Sequence, residues 1–225
     1  SLRRTLRAMP IMGRSADSID VETSWALYPA MQTSDIFQME LDCACAGMDQ
    51  RKVHMLAREA APKLGFAPPV CLHNPLLPGL QLTEVQGSFD DDANIDKSIK
   101  HKMSKSVGKG ALWINDTPQE VNEKYREAYC PQKVVEGNPV LDHARMLVFP
   151  NHDRLDIQRP SKYGGDITYH SFEELAQAYG KGDLHPLDLK NGVSAAVTKL
   201  LQPVAEYFEK KPENLEAMRR LQVTR

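Results

Sequence analysis

Between Arg51 and Ala61 the apolar residues Val53, Leu56, Ala57 and Ala60 recur at i, i+3, i+4 and i+7, which lines one face of a helix, and Pro62 ends the pattern. The runs on either side are of another kind. Residues 39–46, Met-Glu-Leu-Asp-Cys-Ala-Cys-Ala, alternate in polarity or are small and apolar, and Pro69-Val70-Cys71-Leu72 is a short apolar run stopped by Asn74-Pro75. Both suit buried strands. Strand, helix and strand of these lengths predict a parallel βαβ unit, in which ligands sit at the carboxyl ends of the strands. Upstream, Pro29 suits a first helical turn, so a helix is expected from about residue 29, and residues 1–14 read as part of a basic helix.

Residues 74–111 hold several glycines, the acidic run Asp90-Asp91-Asp92 and then Lys97, Lys100, Lys102, Lys105 and Lys109, the pattern of a mobile basic segment. After it the signals are helical. Thr117-Pro118-Gln119-Glu120 is a capping box with proline at the first helical position, and Val121, Tyr125 and Ala128 form the inner face of a helix that stops before Pro131. Ser171-Phe172-Glu173-Glu174 opens another, ending near Gly180, and a third from about Leu187 sets Leu189, Val193, Ala196, Val197 and Leu200 on one side. The expected division is an α/β domain over residues 1–110 and an α-helical domain over residues 111–225.

With 225 residues, 41% hydrophobic and 26% charged, the composition is that of an ordinary globular protein and excludes disorder or a fibrous repeat. The 28 basic and 30 acidic side chains give a net charge of −2, so any nucleic-acid contact has to come from a local patch. Cys43, Cys45, Cys71 and Cys130 lack metal or redox spacing. They are expected to be reduced, mostly buried thiols, with no metal site. No run approaches the ~18 apolar residues of a membrane span and no apolar signal core opens the chain, so a cytoplasmic location with no membrane partner is expected.

Three groups of residues bear on chemistry. Lys102-Met103-Ser104-Lys105-Ser106, followed by Gly108 and Gly110, sets two ammonium groups and two hydroxyls in a flexible context suited to a polyphosphate and its leaving pyrophosphate. A solvated basic loop has the same composition. Tyr28, Gln32 and Asp35 stand at i, i+4 and i+7, placing a phenol, an amide and a carboxylate on one helical face with apolar residues around it. Such a stripe is either wet or the wall of a pocket. Gly47-Met48-Asp49-Gln50 lies at the expected strand-to-helix turn, where glycine permits close backbone approach and an acid accepts from ribose hydroxyls, although ordinary turns also contain Gly and Asp.

The ordered set Tyr28-Pro29 with Gln32 and Asp35, Gly47 to Lys52, His73-Asn74-Pro75, Lys102 to Ser106, Ala128-Tyr129-Cys130-Pro131, Val135 to Pro139, Tyr163-Gly164-Gly165-Asp166 and His185 to Asn191 resembles tyrosyl-tRNA synthetase of the archaeal and eukaryotic type, over nearly the whole chain. The resemblance implies a tyrosine–tRNA ligase, a class I enzyme that activates tyrosine with ATP and transfers it to tRNA(Tyr). Its fold would be the second half of a Rossmann-like catalytic domain followed by an α-helical anticodon-binding domain. Tyr28, Gln32 and Gln50 would hold the amino and carboxylate groups of tyrosine, and Asp35 would accept from its hydroxyl. Gly47, Asp49, Lys102 and Met103 would face ATP, while Lys102, Ser104, Lys105 and Ser106 stabilise departing pyrophosphate. Tyr163, His185 and Asp188 would read the anticodon, and Arg7 the first base pair of the acceptor stem. ATP would bring magnesium with it, and the intact enzyme would be a homodimer.

Class I enzymes also carry a His-x-Gly-His signature. None of the seven histidines here shows that spacing, and the first half of the nucleotide-binding fold is missing. The chain is therefore expected to be a fragment, inactive or nearly so alone. A non-catalytic tRNA-binding relative, one chain of a split synthetase and a tryptophanyl relative are the alternatives; the last has no need of the Tyr28, Gln32 and Asp35 trio. Ala46 stands where a second glycine is usual, Lys105 where many archaeal relatives have serine, and Tyr163 where phenylalanine or tryptophan is frequent.

Overall fold

The structure, a computed structural model, describes residues 2–8, 22–81, 90, 92–103 and 110–221. They fall into two units: residues 1–76 with 83–102, and residues 77–82 with 103–225.

The first unit contains α1 (Leu2–Arg7), α2 (Thr23–Gln38), β1 (Cys43–Gly47), a 3₁₀ turn (Met48–Gln50), α3 (Arg51–Leu64), β2 (Val70–Asn74) and α4 (Ala93–His101). The βαβ expectation holds: β1 and β2 pair in parallel, Cys43 with Val70 through Gly47 with Asn74. Helix α3 buries Val53, His54, Ala57 and Ala61, and Ile36, Ala44 and Ala57 form the small core between α2, α3 and β1. Pro62 does not end α3. It sits in the last turn, and the stop is Gly65, at φ 81°, whose N–H donates to the Ala61 carbonyl.

Two further expectations are corrected. Helix α2 begins at Thr23, six residues before Pro29, so the proline lies inside it, buried, with no N–H for the preceding turn. The Thr33 hydroxyl donates to the Pro29 carbonyl at 2.8 Å. Nor are the thiols mostly buried: Cys43 and Cys45 are exposed, their sulfurs 3.9 Å apart on one face of β1, and Cys71 and Cys130 are half-buried. The alternation of β1 buries Ala44 instead.

The second unit holds α5 (Pro118–Glu127), α6 (Pro139–His143) running into a π-helical turn, β3 (Leu155–Ile157), β4 (Ile167–Tyr169), α7 (Phe172–Lys181), α8 (Pro186–Lys210) and α9 (Pro212–Leu221). The Thr117 capping box forms as expected: its hydroxyl accepts from the Glu120 N–H while the Glu120 carboxylate accepts from the Thr117 N–H. Ser171 caps α7, which ends at Gly182 with φ 90°. The unit is not purely helical, since β3 and β4 pair antiparallel, Leu155 with Tyr169. Leu155 and Ile157 reach the core that Tyr125, Leu175, Tyr179, Leu189, Val193 and Val197 share.

Gly192 of α8 packs against Ile157 of β3. A Cβ there would lie 2.7 Å from Ile157 Cγ1. Gly192→Ala is therefore expected to destabilise this unit by ~1–3 kcal/mol, because overpacking outweighs the gain in helix propensity. Urea unfolding followed through Trp113 checks it, and a variant as stable as the parent contradicts the tight contact.

Candidate functional site

The carboxyl end of β1 leads into Gly47 and the turn Met48–Gln50, where the site residues of the first unit meet. Gly47 has an ordinary φ of −67°, so what glycine supplies here is space: a Cβ would stand 2.7 Å from Asp49 Oδ1 and 2.8 Å from Leu76 Cδ2, and both side chains would have to shift. Gln50 Oε1 accepts from the Gln32 amide of α2 at 3.1 Å. On the other side of the turn, Lys102 Nζ, just past the end of α4, donates to Asp49 Oδ2 at 2.9 Å. Both side chains are mostly shielded, at 25% and 12% exposure, which reduces solvent screening of the pair. Two segments far apart in sequence thus converge on one turn.

Tyr28 and Asp35 share the α2 face with Gln32 but are exposed, Tyr28 at 46%. The hydrogen bond to the Gly47–Gln50 turn is made by Gln32. Met103 belongs to the second unit, where its N–H donates to the Leu77 carbonyl at 2.8 Å. Ser104, Lys105 and Ser106 lie outside the described residues.

Two arrangements here were missed in the sequence. His54, buried on α3, meets His73 of β2 with Nδ1 and Nε2 3.0 Å apart. Burial and the neighbouring His73 hold His54 below the ordinary imidazole value, and burial and the charge of Arg51 do the same for His73. The rings share a proton as neutral groups, one donating to the other. The only local signal was a histidine beside Val53 on an apolar helix face. The second is a cavity of about 540 Å³ that gathers the cations Arg4, Arg7, Arg51 and Lys52. Arg4 pairs with Glu59, and Lys52 with Asp90 at 3.3 Å. Arg7, at the end of α1, is exposed.

In the second unit Tyr163 closes a 3₁₀ turn and is 61% exposed, with Lys162 Nζ 4.8 Å from its ring centre. Gly164 and Gly165 follow at φ 99° and 74°, a left-handed pair that glycine adopts without strain. Arg159, also missed, organises this loop: its N–H donates to Asp166, its Nε to the Gly165 carbonyl at 2.9 Å and its Nη1 to the Asp183 carbonyl at 3.2 Å. That last bond ties the Tyr163 loop to the segment leading into α8. There His185 is the N-cap, its Nδ1 accepting from the Leu187 N–H, so its proton is on Nε2. Asp188 follows in the first turn of α8, half-buried, where the helix dipole favours a negative charge. An exposed aromatic ring, an imidazole N–H and a carboxylate on two linked segments suit stacking on an unpaired base and bonding to its edge.

Residues 2–202 match the family described as tRNA synthetases class I (W and Y). The chain is 44% identical over 235 residues to the tyrosine–tRNA ligase of Thermococcus kodakarensis, an alignment covering 100% of this chain and 62% of that protein. Among solved structures it resembles tyrosyl-tRNA synthetase of Pyrococcus horikoshii complexed with L-tyrosine, with a TM-score of 0.84 at 41% identity, covering 98% of this chain and 62% of that one. Tryptophanyl-tRNA synthetase of Giardia lamblia, at 17% identity and a TM-score of 0.54, shares the fold, covering 92% of this chain and 56% of that one. The chain thus spans about three fifths of these relatives, 62% of the first.

Proposed function

We infer from one premise, that this chain belongs to the class I tRNA synthetases of the tryptophan and tyrosine family, that it serves a tyrosine–tRNA ligase, as the C-terminal portion of its Rossmann-like catalytic domain followed by its anticodon-binding domain. The observation that carries the reading is the convergence of Gln32, Gln50, Asp49 and Lys102 on the turn after β1. Identities above 40% to tyrosine enzymes, against 17% to a tryptophan enzyme, favour tyrosine as the amino acid.

On this reading Tyr28, Gln32 and Gln50 hold the amino and carboxylate groups of tyrosine, and Asp35 accepts from its phenol. Gly47 and Asp49 face the ribose and α-phosphate of ATP. A carboxylate oxygen of tyrosine attacks the α-phosphorus, the bond from that phosphorus to the bridging oxygen breaks, and pyrophosphate leaves with the electron pair. No side chain is covalently modified. The chain contributes position and charge, with the Lys102 ammonium held at the turn by Asp49. Lys105, Ser104 and Ser106 continue that role, and magnesium accompanies ATP. The adenylate then passes its tyrosyl group to tRNA(Tyr), whose anticodon is read by Tyr163, His185 and Asp188, with Arg7 at the acceptor stem. A homodimer and a cytoplasmic setting complete the proposal. Among the described residues no helix is long and apolar enough to cross a membrane.

Asp188 separates the two activities. In the complete polypeptide, Asp188→Ala is expected to lower the kcat/KM of tRNA charging by about ten- to a hundredfold, the cost of a lost bidentate base contact. Tyrosine-dependent ATP–pyrophosphate exchange should be unchanged. Loss of both activities contradicts the assignment of RNA reading to the second unit.

A further inference from the structure

His73-Asn74-Pro75 stands beside the candidate site without any part in the chemistry above, yet the register of the sheet brings it to the Met48–Gln50 turn. Ala46 pairs with His73 and Gly47 with Asn74, so β2 runs along the last residues of β1 before the turn begins. At the far side of the turn the Arg51 N–H donates to the Met48 carbonyl and α3 starts. His54 lies in the first turn of that helix.

The turn is not fixed by capping. Neither the 3₁₀ turn nor α3 has a side-chain cap at its N-terminus. The polar groups that could have served are directed elsewhere: Gln50 accepts from Gln32 of α2, and Asp49 accepts from Lys102. What closes the structure instead is the contact of His54 Nδ1 with His73 Nε2 at 3.0 Å, the rings tilted by 37° with centres 5.0 Å apart. It completes a circuit from β1 through the turn to α3, across the two imidazoles to β2, and back to β1 through the ladder. His54 is only 3% exposed, so water cannot readily replace its partner, and losing the bond leaves a buried polar atom unsatisfied.

We propose that the His54–His73 pair is a positioning element for Gln50 and Asp49: by tying the first turn of α3 to β2 it fixes the Met48–Gln50 turn from which both side chains reach the reactants. The inference rests on the reading of Gln50 as a contact of tyrosine and Asp49 as a contact of ATP, and it gives His73 of the His-Asn-Pro stretch a role in activation.

Two variants test it. His73→Gln places an amide near the position of Nε2, whereas the shorter side chain of His73→Asn ends before reaching His54. In the asparagine variant, native-state hydrogen exchange at the Arg51 amide is expected to speed up by about tenfold or more, the effect of a lost buried hydrogen bond. The Met39 amide, which donates to the Asp35 carbonyl at the end of α2, should keep its rate, and the glutamine variant should restore Arg51. In the complete polypeptide, His73→Asn should raise the KM for tyrosine in ATP–pyrophosphate exchange by about tenfold, since small displacements of a substrate-holding group are costly, and should leave the KM for tRNA(Tyr) in charging unchanged. Glutamine at this position should again rescue. Unchanged exchange at Arg51, an equal rise at Met39, failure of glutamine to rescue, or an unaltered KM for tyrosine overturns the proposal. If the asparagine variant does not fold, the parent chain decides: a nitrogen–nitrogen scalar coupling across the two imidazoles must disappear together with Arg51 protection as urea is raised, and protection that outlasts the coupling overturns it. Absence of tyrosine activation in the parent polypeptide counts against the ligase reading, while the Arg51 amide still decides whether the pair fixes the turn.

Discussion

Asp35→Ala, made in the complete polypeptide, is expected to erase the preference for tyrosine over phenylalanine in ATP–pyrophosphate exchange. A site that bonds a substrate hydroxyl rejects the analogue lacking it by about 10⁴–10⁵-fold, because the polar group of the protein is otherwise left unpaired on binding. At 1.4 kcal/mol per tenfold that is roughly 6–7 kcal/mol. Asp35 lies one turn beyond Gln32 on α2, and Gln32 already reaches Gln50 at the turn where the adenylate would form. On the proposed reading this carboxylate meets the phenol of the amino acid, with Gln32 and Tyr28 left for its backbone groups. The ratio of kcat/KM for the two amino acids is the measurement. A variant that activates tyrosine as the parent does and still rejects phenylalanine removes Asp35 from the pocket.

Mild acid should weaken the second unit by way of His143. Burial lowers this imidazole from its ordinary 6.5 to about 4, against the opposing effect of its hydrogen bond to Pro78. Between those values the unfolded chain binds a proton that the folded chain refuses, so stability falls as the pH drops from 6.5 towards 4 and this group adds nothing below that. At about 1.4 kcal/mol per pH unit the loss is about 3 kcal/mol. Urea midpoints between pH 7 and 4.5, followed through Trp113 in a Trp25→Phe background, report on this unit. His143→Gln, which cannot titrate, should show a shallower decline over the same range. Parallel curves for the two proteins would locate the acid sensitivity elsewhere.

Features set by neighbours within a few residues were readable from sequence. The i, i+3, i+4, i+7 pattern of α3 and the Thr117 and Ser171 caps depend on nothing distant, and they appear as expected. The parallel pairing of β1 with β2 followed from the short strand, helix, strand order. The expected start of α2 was wrong because its first turn, Thr23 to Leu27, carries no capping signal as clear as proline does. Strands β3 and β4 were missed because three residues each, Leu155–Ile157 and Ile167–Tyr169, are too few to establish a period. Exposure of Cys43 and Cys45 depends on what covers each face of β1, which the strand's own residues do not encode. The site divides in the same way. The common α2 face of Tyr28, Gln32 and Asp35 was expected from helical spacing and the Gly47 turn from its residue types, but that Gln32 alone of the three bonds to that turn was not legible. The bond of Asp49 to Lys102 spans 53 positions and that of His143 to Pro78 spans 65, distances at which pattern carries no information.

The path of the chain limits how the protein can be dissected. Residues 77–82 belong with the helical unit, yet residues 83–102 return to the first before the chain crosses for good at Met103. No single scissile point therefore yields two intact modules. A piece beginning at residue 103 would lack Leu80, leaving a leucine-sized hole in its interior, and would strip the Pro78 partner from a histidine sealed away from solvent. The helical portion is not an independently transplantable cassette; its grafting onto another protein requires the six-residue strip to travel with it.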